Sequence, residues 1–125
     1  MEKICLDGVE MAVSASADIG VVSSDTKLRF EQRGSVVSAR YRGGRVVDGY
    51  LIGHLEGDSL TFRYVQADTD GNLDAGFSRG VIERAADGKW RLVEHFTWAT
   101  RPGGGVNVFE ETGSAETHRC ARALP

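Results

Sequence analysis

Glu94 lies in a stretch that alternates as Trp90, Leu92, Glu94, Phe96 and Trp98. A strand carrying it therefore turns a carboxylate toward its most apolar face. Even pairing about Pro102, across the turn Arg101-Pro102-Gly103-Gly104-Gly105, sets Trp98 opposite Val106, Phe96 opposite Val108 and Glu94 opposite Glu110. Two enclosed acids repel each other when both are charged, and burial raises their pKa. Such a pair keeps one proton near neutral pH and offers an acid and a base side by side.

The same even pairing across Asp70-Gly71 and Asp87-Gly88 brings Tyr64 beside Gly76 or Ser78, and Ser78 beside Glu94. Tyr64, Ser78, Glu94 and Glu110 form a polar belt, walled by Tyr41, Phe62, Leu92, Phe96 and Trp98. Rings with a few converging polar groups are the usual make-up of a small-molecule pocket. In a binding role Glu94 and Glu110 fix the polar end of a small hydrophobic or aromatic ligand, with Tyr41, Phe62, Gln66, Ser78, Phe96 and Trp98 around it. In a catalytic role Glu94 is the base and Tyr64 or protonated Glu110 the acid of a cofactor-independent isomerisation or cyclisation. The structural alternative is that Glu94 is satisfied by Arg63, Arg79 or Arg91 and does no chemistry. A third reading is a filled barrel that serves as an interaction module. Whether the chain is an enzyme stays open at this stage.

Positioning these residues requires strands. Period-2 alternation recurs between turn signals, the pattern of an antiparallel meander. Strands are expected over 8–16, 26–33, 35–42, 45–55, 59–68, 73–84, 89–100 and 106–112. Eight short strands without an amphipathic helix predict an all-β fold, an antiparallel up-and-down eight-stranded barrel, calycin-like and of lipocalin or streptavidin size. The sixteen glycines, among them Gly49, Gly53, Gly76 and Gly80 inside strands, suit a strongly curved sheet. Residues 1–112 read as one domain and 113–125 as a polar tail trailing over the surface.

The chain has 125 residues, a formal net charge of -3 and 26% charged residues, with a pI of about 5.6. No basic surface for nucleic acid follows from this balance. No apolar run reaches membrane-spanning length, and the first residues lack a signal-peptide pattern, so the expected location is cytoplasmic. Cys5 and Cys120 are read as free thiols on that basis. His118 and Cys120 are too few for a zinc site, so no metal is expected, and the absence of a phosphate-binding loop leaves no cofactor. A homodimer is expected if an unclosed barrel leaves a strand edge exposed. His54 is placed near a pocket mouth and His95 on the solvent side.

At Gly43-Gly44, Gly49-Tyr50-Leu51-Ile52-Gly53, Leu60-Thr61-Phe62-Arg63-Tyr64, Leu92-Val93-Glu94 with Trp98, and Glu110-Glu111, the sequence resembles a group of small bacterial β-rich proteins commonly labelled "N-acetylglutamate synthase". The resemblance implies a one-domain β architecture over roughly residues 8–112. Its label implies acetyl transfer from acetyl-CoA, yet no pyrophosphate-binding loop opening a helix is present to support that. Gln66 and Asp68 stand where those relatives are expected to carry His and Asn.

Overall fold

A computed structural model describes residues 3–17 and 20–113. Eight antiparallel strands, β1 Glu10–Ala15, β2 Lys27–Arg33, β3 Val36–Gly43, β4 Val46–Glu56, β5 Ser59–Asp68, β6 Leu73–Arg84, β7 Trp90–Trp98 and β8 Gly104–Glu111, follow one another around a closed barrel. The ring shuts where β1 pairs with β8, Met11 opposite Glu111 and Val13 opposite Phe109. Closure removes the exposed edge on which the dimer expectation rested.

Alternation produces this ladder. On β5, Leu60, Phe62, Tyr64 and Gln66 are buried while Thr61, Arg63 and Val65 are exposed, and β6 and β7 repeat the pattern. Two hairpins turn at Gly34-Ser35 and Gly57-Asp58, between the pairs Arg33 and Val36, and Glu56 and Ser59. Gly34 at φ 58° and Gly57 at φ 60° supply the left-handed first position that a type II′ turn demands of glycine.

One end of the barrel is packed solid. Leu6, Val9, Met11, Phe30, Val37, Leu60 and Leu92 are each at most 1% exposed. Leu6 is fixed from outside the strands, its N–H donating to Gln32 Oε1 at 2.9 Å. At the other end Val21, which precedes β2, is buried and lines the lumen together with Gly20 and Val22.

Inside the barrel, rings lie opposite glycines. Tyr41 pairs with Gly49, Phe62 with Gly53, Tyr64 with Gly76 and Phe96 with Gly105. The rings of Tyr41, Tyr64 and Phe96 lean across the partner strand into the space a side chain would take, a Cβ on Gly49 falling on the Tyr41 ring, whereas a Cβ on Gly53 would meet Phe62 Cβ at 2.5 Å. The strand glycines thus make room for rings in a narrow lumen.

The cysteine expectation is overturned at Cys5, which is disulfide-bonded. Cys120, the sequence's other cysteine, lies outside the described residues, as do His118 and the expected polar tail beyond Gly113. No described helix is long and apolar enough to cross a membrane.

Candidate functional site

Glu94 enters the lumen from β7 between Leu92 and Phe96 and is 6% exposed. Its partners are neutral. Ser78 Oγ donates to Oε2 at 2.5 Å, and Asn107 Nδ2 donates to Oε1 at 3.0 Å. Burial raises the carboxyl's pKa, and the bonds from Ser78 and Asn107 offset part of that rise. None of the arginines considered as its partner reaches it. Arg63 and Arg79 occupy outward positions on β5 and β6, and Arg91 pairs with Glu83 and Glu110.

The expected facing pair of acids does not form. Glu94 stands opposite Asn107, and Glu110 stands opposite Arg91 on the outer face, its Oε2 3.1 Å from Arg91 Nε. The cause lies in the connection before β8. Trp98 N–H donates to Gly103 O at 2.9 Å, while Ala99 N–H bonds back to Ala75 of β6, so the hairpin turns before Pro102. Relative to even pairing about Pro102, β8 is displaced by three residues, and an odd displacement exchanges its two faces. Asn107, Phe109 and Glu111 point inward in place of Val106, Val108 and Glu110. Glu111 is the buried acid of β8, but it lies toward the packed end, accepting Trp90 N–H at 3.0 Å.

The other residues expected around a ligand lie on the inner faces of their strands. Tyr41, Phe62, Tyr64, Gln66, Ser78, Phe96 and Trp98 are all buried on inner faces. Tyr41 Oη donates to Gln66 Oε1 at 2.8 Å, and Tyr64 Oη reaches Thr97 O at 3.4 Å. Both phenols have raised pKa values, first through burial and then through the neighbouring Glu94. Trp98 joins the wall through edge contacts, 5.7 Å from the Tyr64 ring and 5.5 Å from Phe96. Arg101 lies over its outer side, guanidinium carbon 4.2 Å from the ring, and is drawn to Asp74 at 3.1 Å. His54 is on the outer face of β4 rather than at the mouth, and His95 is exposed as read.

Asn107 was missed, and with it Phe109. Asn107 links three elements: it donates to Glu94 of β7 and accepts the Ala17 N–H of the β1–β2 connection at 3.1 Å. The ring-to-glycine pairing could have found it. Matching Phe96 to Gly105, as Phe62 matches Gly53, fixes the β8 register and turns Asn107 inward.

Leu28, Leu51, Val21 and Phe109 complete the wall of a cavity of about 30 Å³ beside Glu94, Tyr41, Tyr64 and Gln66. That is room for a water or two, so most of the lumen is filled by its own side chains. Among the described residues, no group of three or more His, Cys, Asp or Glu side chains is placed to hold a metal ion.

No curated protein matches the chain. The synthase label attached to the proteins it resembles gains no support, and the family whose pattern it fits is one of closed barrels. With a match to the family described as "Avidin-like protein" over residues 4–112, the chain belongs to the avidin-like family.

Proposed function

We propose that this barrel binds a small hydrophobic or aromatic molecule at its polar mid-section. The ligand's flat body lies among Tyr41, Phe62, Phe96 and Trp98, and its polar atoms meet Glu94 and Gln66. The observation that carries the reading is Glu94 itself, a carboxyl 6% exposed and held, among the described residues, by neutral Ser78 and Asn107. A carboxyl in that setting costs stability unless it is protonated, whereas an apolar side chain would pack without that cost. Its presence beside an open space is explained by a ligand it recognises.

The cavity of about 30 Å³ is far below the roughly 300 Å³ of an ordinary ligand pocket. Binding therefore displaces side chains at the mouth, Val21 foremost. Eight-stranded barrels are at the size where the interior is either filled or holds one small ligand, and family membership favours the second outcome. The filled interaction module is the outcome if no ligand enters.

A cofactor-independent isomerisation or cyclisation in the same cavity is the second reading, favoured by two ionisable groups, Glu94 and Tyr64, that line one cavity and whose pKa values are both raised by burial. Protonated Glu110 is no longer available as the acid. The same proposal treats 1–112 as the functional domain. It moves the expected location from the cytoplasm to an oxidising compartment, because a disulfide at Cys5 persists there.

Tryptophan-fluorescence titration with biotin, the ligand of the tightest streptavidin-type barrels, and with the neutral aromatic probe N-phenyl-1-naphthylamine tests the reading. Native mass spectrometry of the freshly purified protein adds any molecule that co-purifies. Binding by the wild-type chain, weakened about tenfold or more in Glu94→Gln through a lost charge-assisted bond, supports the binder. Undiminished binding with lost turnover of a co-purified molecule supports the enzyme. No quenching and no co-purified mass would end both.

A further inference from the structure

The charge balance of the lumen is one-sided. Among the described residues lining the cavity, Glu94 is the one acid, and no Lys, Arg or His stands with it. Arg101 lies behind the Trp98 ring and is engaged with Asp74, and Arg91 and His95 belong to the outer face of β7.

The neighbours of Glu94 are set for a negative charge. Asn107 Oδ1 is taken by the Ala17 N–H at 3.1 Å, which leaves Nδ2 to donate to Glu94 Oε1 at 3.0 Å. Ser78 Oγ donates to Oε2 at 2.5 Å. An ionised carboxylate has about four acceptor sites, so capacity remains beyond these two bonds. Tyr41 Oη, having given its proton to Gln66 Oε1, is a further acceptor on the cavity wall. The rings suit the same charge. Tyr64 and Phe96 are turned 72° and 74° to Trp98, so they bound the space on several sides instead of stacking. Rings arranged as walls hold ammonium groups through their negative faces. The space of about 30 Å³ beside Glu94 admits a water-sized group, which is the size of one ammonium head.

We infer that the molecule bound in this lumen is a protonated primary amine on an apolar body, its ammonium donating to the Glu94 carboxylate and its body displacing Val21 toward the mouth. The inference rests on the binding reading above and narrows it. An anion would meet a like charge, and a neutral molecule would leave the buried carboxylate without a cation.

A proton linkage follows. Burial raises the Glu94 pKa, and a bound cation lowers it. Below the folded-state value, binding therefore releases the Glu94 proton to solvent. Affinity rises with pH by up to about tenfold per unit and levels off above that value. Gly80 and Ser78 of β6 and Asn107 of β8, which face Glu94, do not titrate. Tyr41 of β3 and Tyr64 of β5 keep their protons, their pKa values raised by burial and by Glu94 itself. His95, exposed on the far side of β7, favours the ionised carboxylate. An alkylammonium stays charged to about pH 9.

Tryptophan-fluorescence titration of the full chain with phenethylamine, phenethyl alcohol and hydrocinnamate tests it. The amine is expected to bind roughly tenfold or more tightly than either, with an affinity that rises between pH 4 and pH 8 while that of the alcohol does not. Glu94→Gln is expected to lose both the preference for the amine and its pH slope. The wild-type ranking and slope carry the test if the variant does not fold. Alcohol or carboxylate bound as tightly as the amine, or an amine affinity that fails to rise with pH, overturns the inference and leaves the binding reading in place. Quenching by biotin or N-phenyl-1-naphthylamine without any by the amine does the same. Silence from every probe sinks both.

Discussion

Replacing Glu94 with glutamine should change the pH dependence of stability more than stability itself. The isostere keeps both contacts: its carbonyl accepts from Asn107 Nδ2, and its amide faces Ser78 Oγ. Burial raises the folded-state pKa of Glu94, so the folded state holds this proton more tightly than the unfolded chain. The stability contributed is complete below the unfolded value, about 4.3 for Glu. It is lost as pH rises through the folded value, at up to about 1.4 kcal/mol per pH unit. Glutamine cannot titrate. Near pH 4 the two proteins should agree to within about 1 kcal/mol, and above that the variant should become progressively the more stable, until Glu94 ionises in the folded state. Urea unfolding followed by tryptophan fluorescence in steps from pH 4 to pH 8 reads the difference directly. Curves that stay parallel over that range would refute the claim that an uncompensated carboxyl is buried in the lumen.

Four further outcomes follow from the geometry. Asn107→Leu removes the bonds to Glu94 and to Ala17 N–H and should cost about 2 kcal/mol or more. Glu110→Gln, on an exposed ion pair, should cost at most about 1 kcal/mol; equal losses in denaturant titration would mean that the β8 register is wrong. Gly53→Ala drives a methyl against Phe62 and the Thr61 carbonyl, with an expected cost of about 1 to 3 kcal/mol, and an unchanged melting temperature would contradict that packing. Intact-mass analysis after iodoacetamide should show no alkylated cysteine without reductant and two with it, and labelling of the untreated protein would restore the free-thiol reading.

The eight strands were legible because glycine-bearing turns separate runs of clean alternation, and Gly34-Ser35 and Gly57-Asp58 are turns by their backbone demands alone. Glu94 was legible for the same reason, since nothing inside β7 shifts the period between Trp90 and Trp98. What alternation cannot supply is the length of a turn measured in ladder positions. The Arg101-Pro102-Gly103 sequence looks like the centre of a hairpin, yet Ala99 and Thr100 just before it are tied to Ala75 and Asp74 of β6. The valines at 106 and 108 added to the error, because they read as core although Val106 projects onto the open outer face. Leu6 and Val21 were passed over for another reason: they are buried by tertiary packing across barrel ends, and neither lies in a periodic run.

The seam of the barrel has a consequence for its motions. β1 is the shortest strand, it pairs with β2 over Glu10 to Ala12, and its ladder with β8 is broken by a bulge between Val13 and Ala15. A hoop gives way at its weakest stave, so transient opening should begin by β1 lifting from both neighbours. Its amides should exchange with solvent well before those of β4 and β5, whose ladder is long. Detachment there would also free Ala17 N–H from Asn107, loosening the amide that braces Glu94 each time the wall parts.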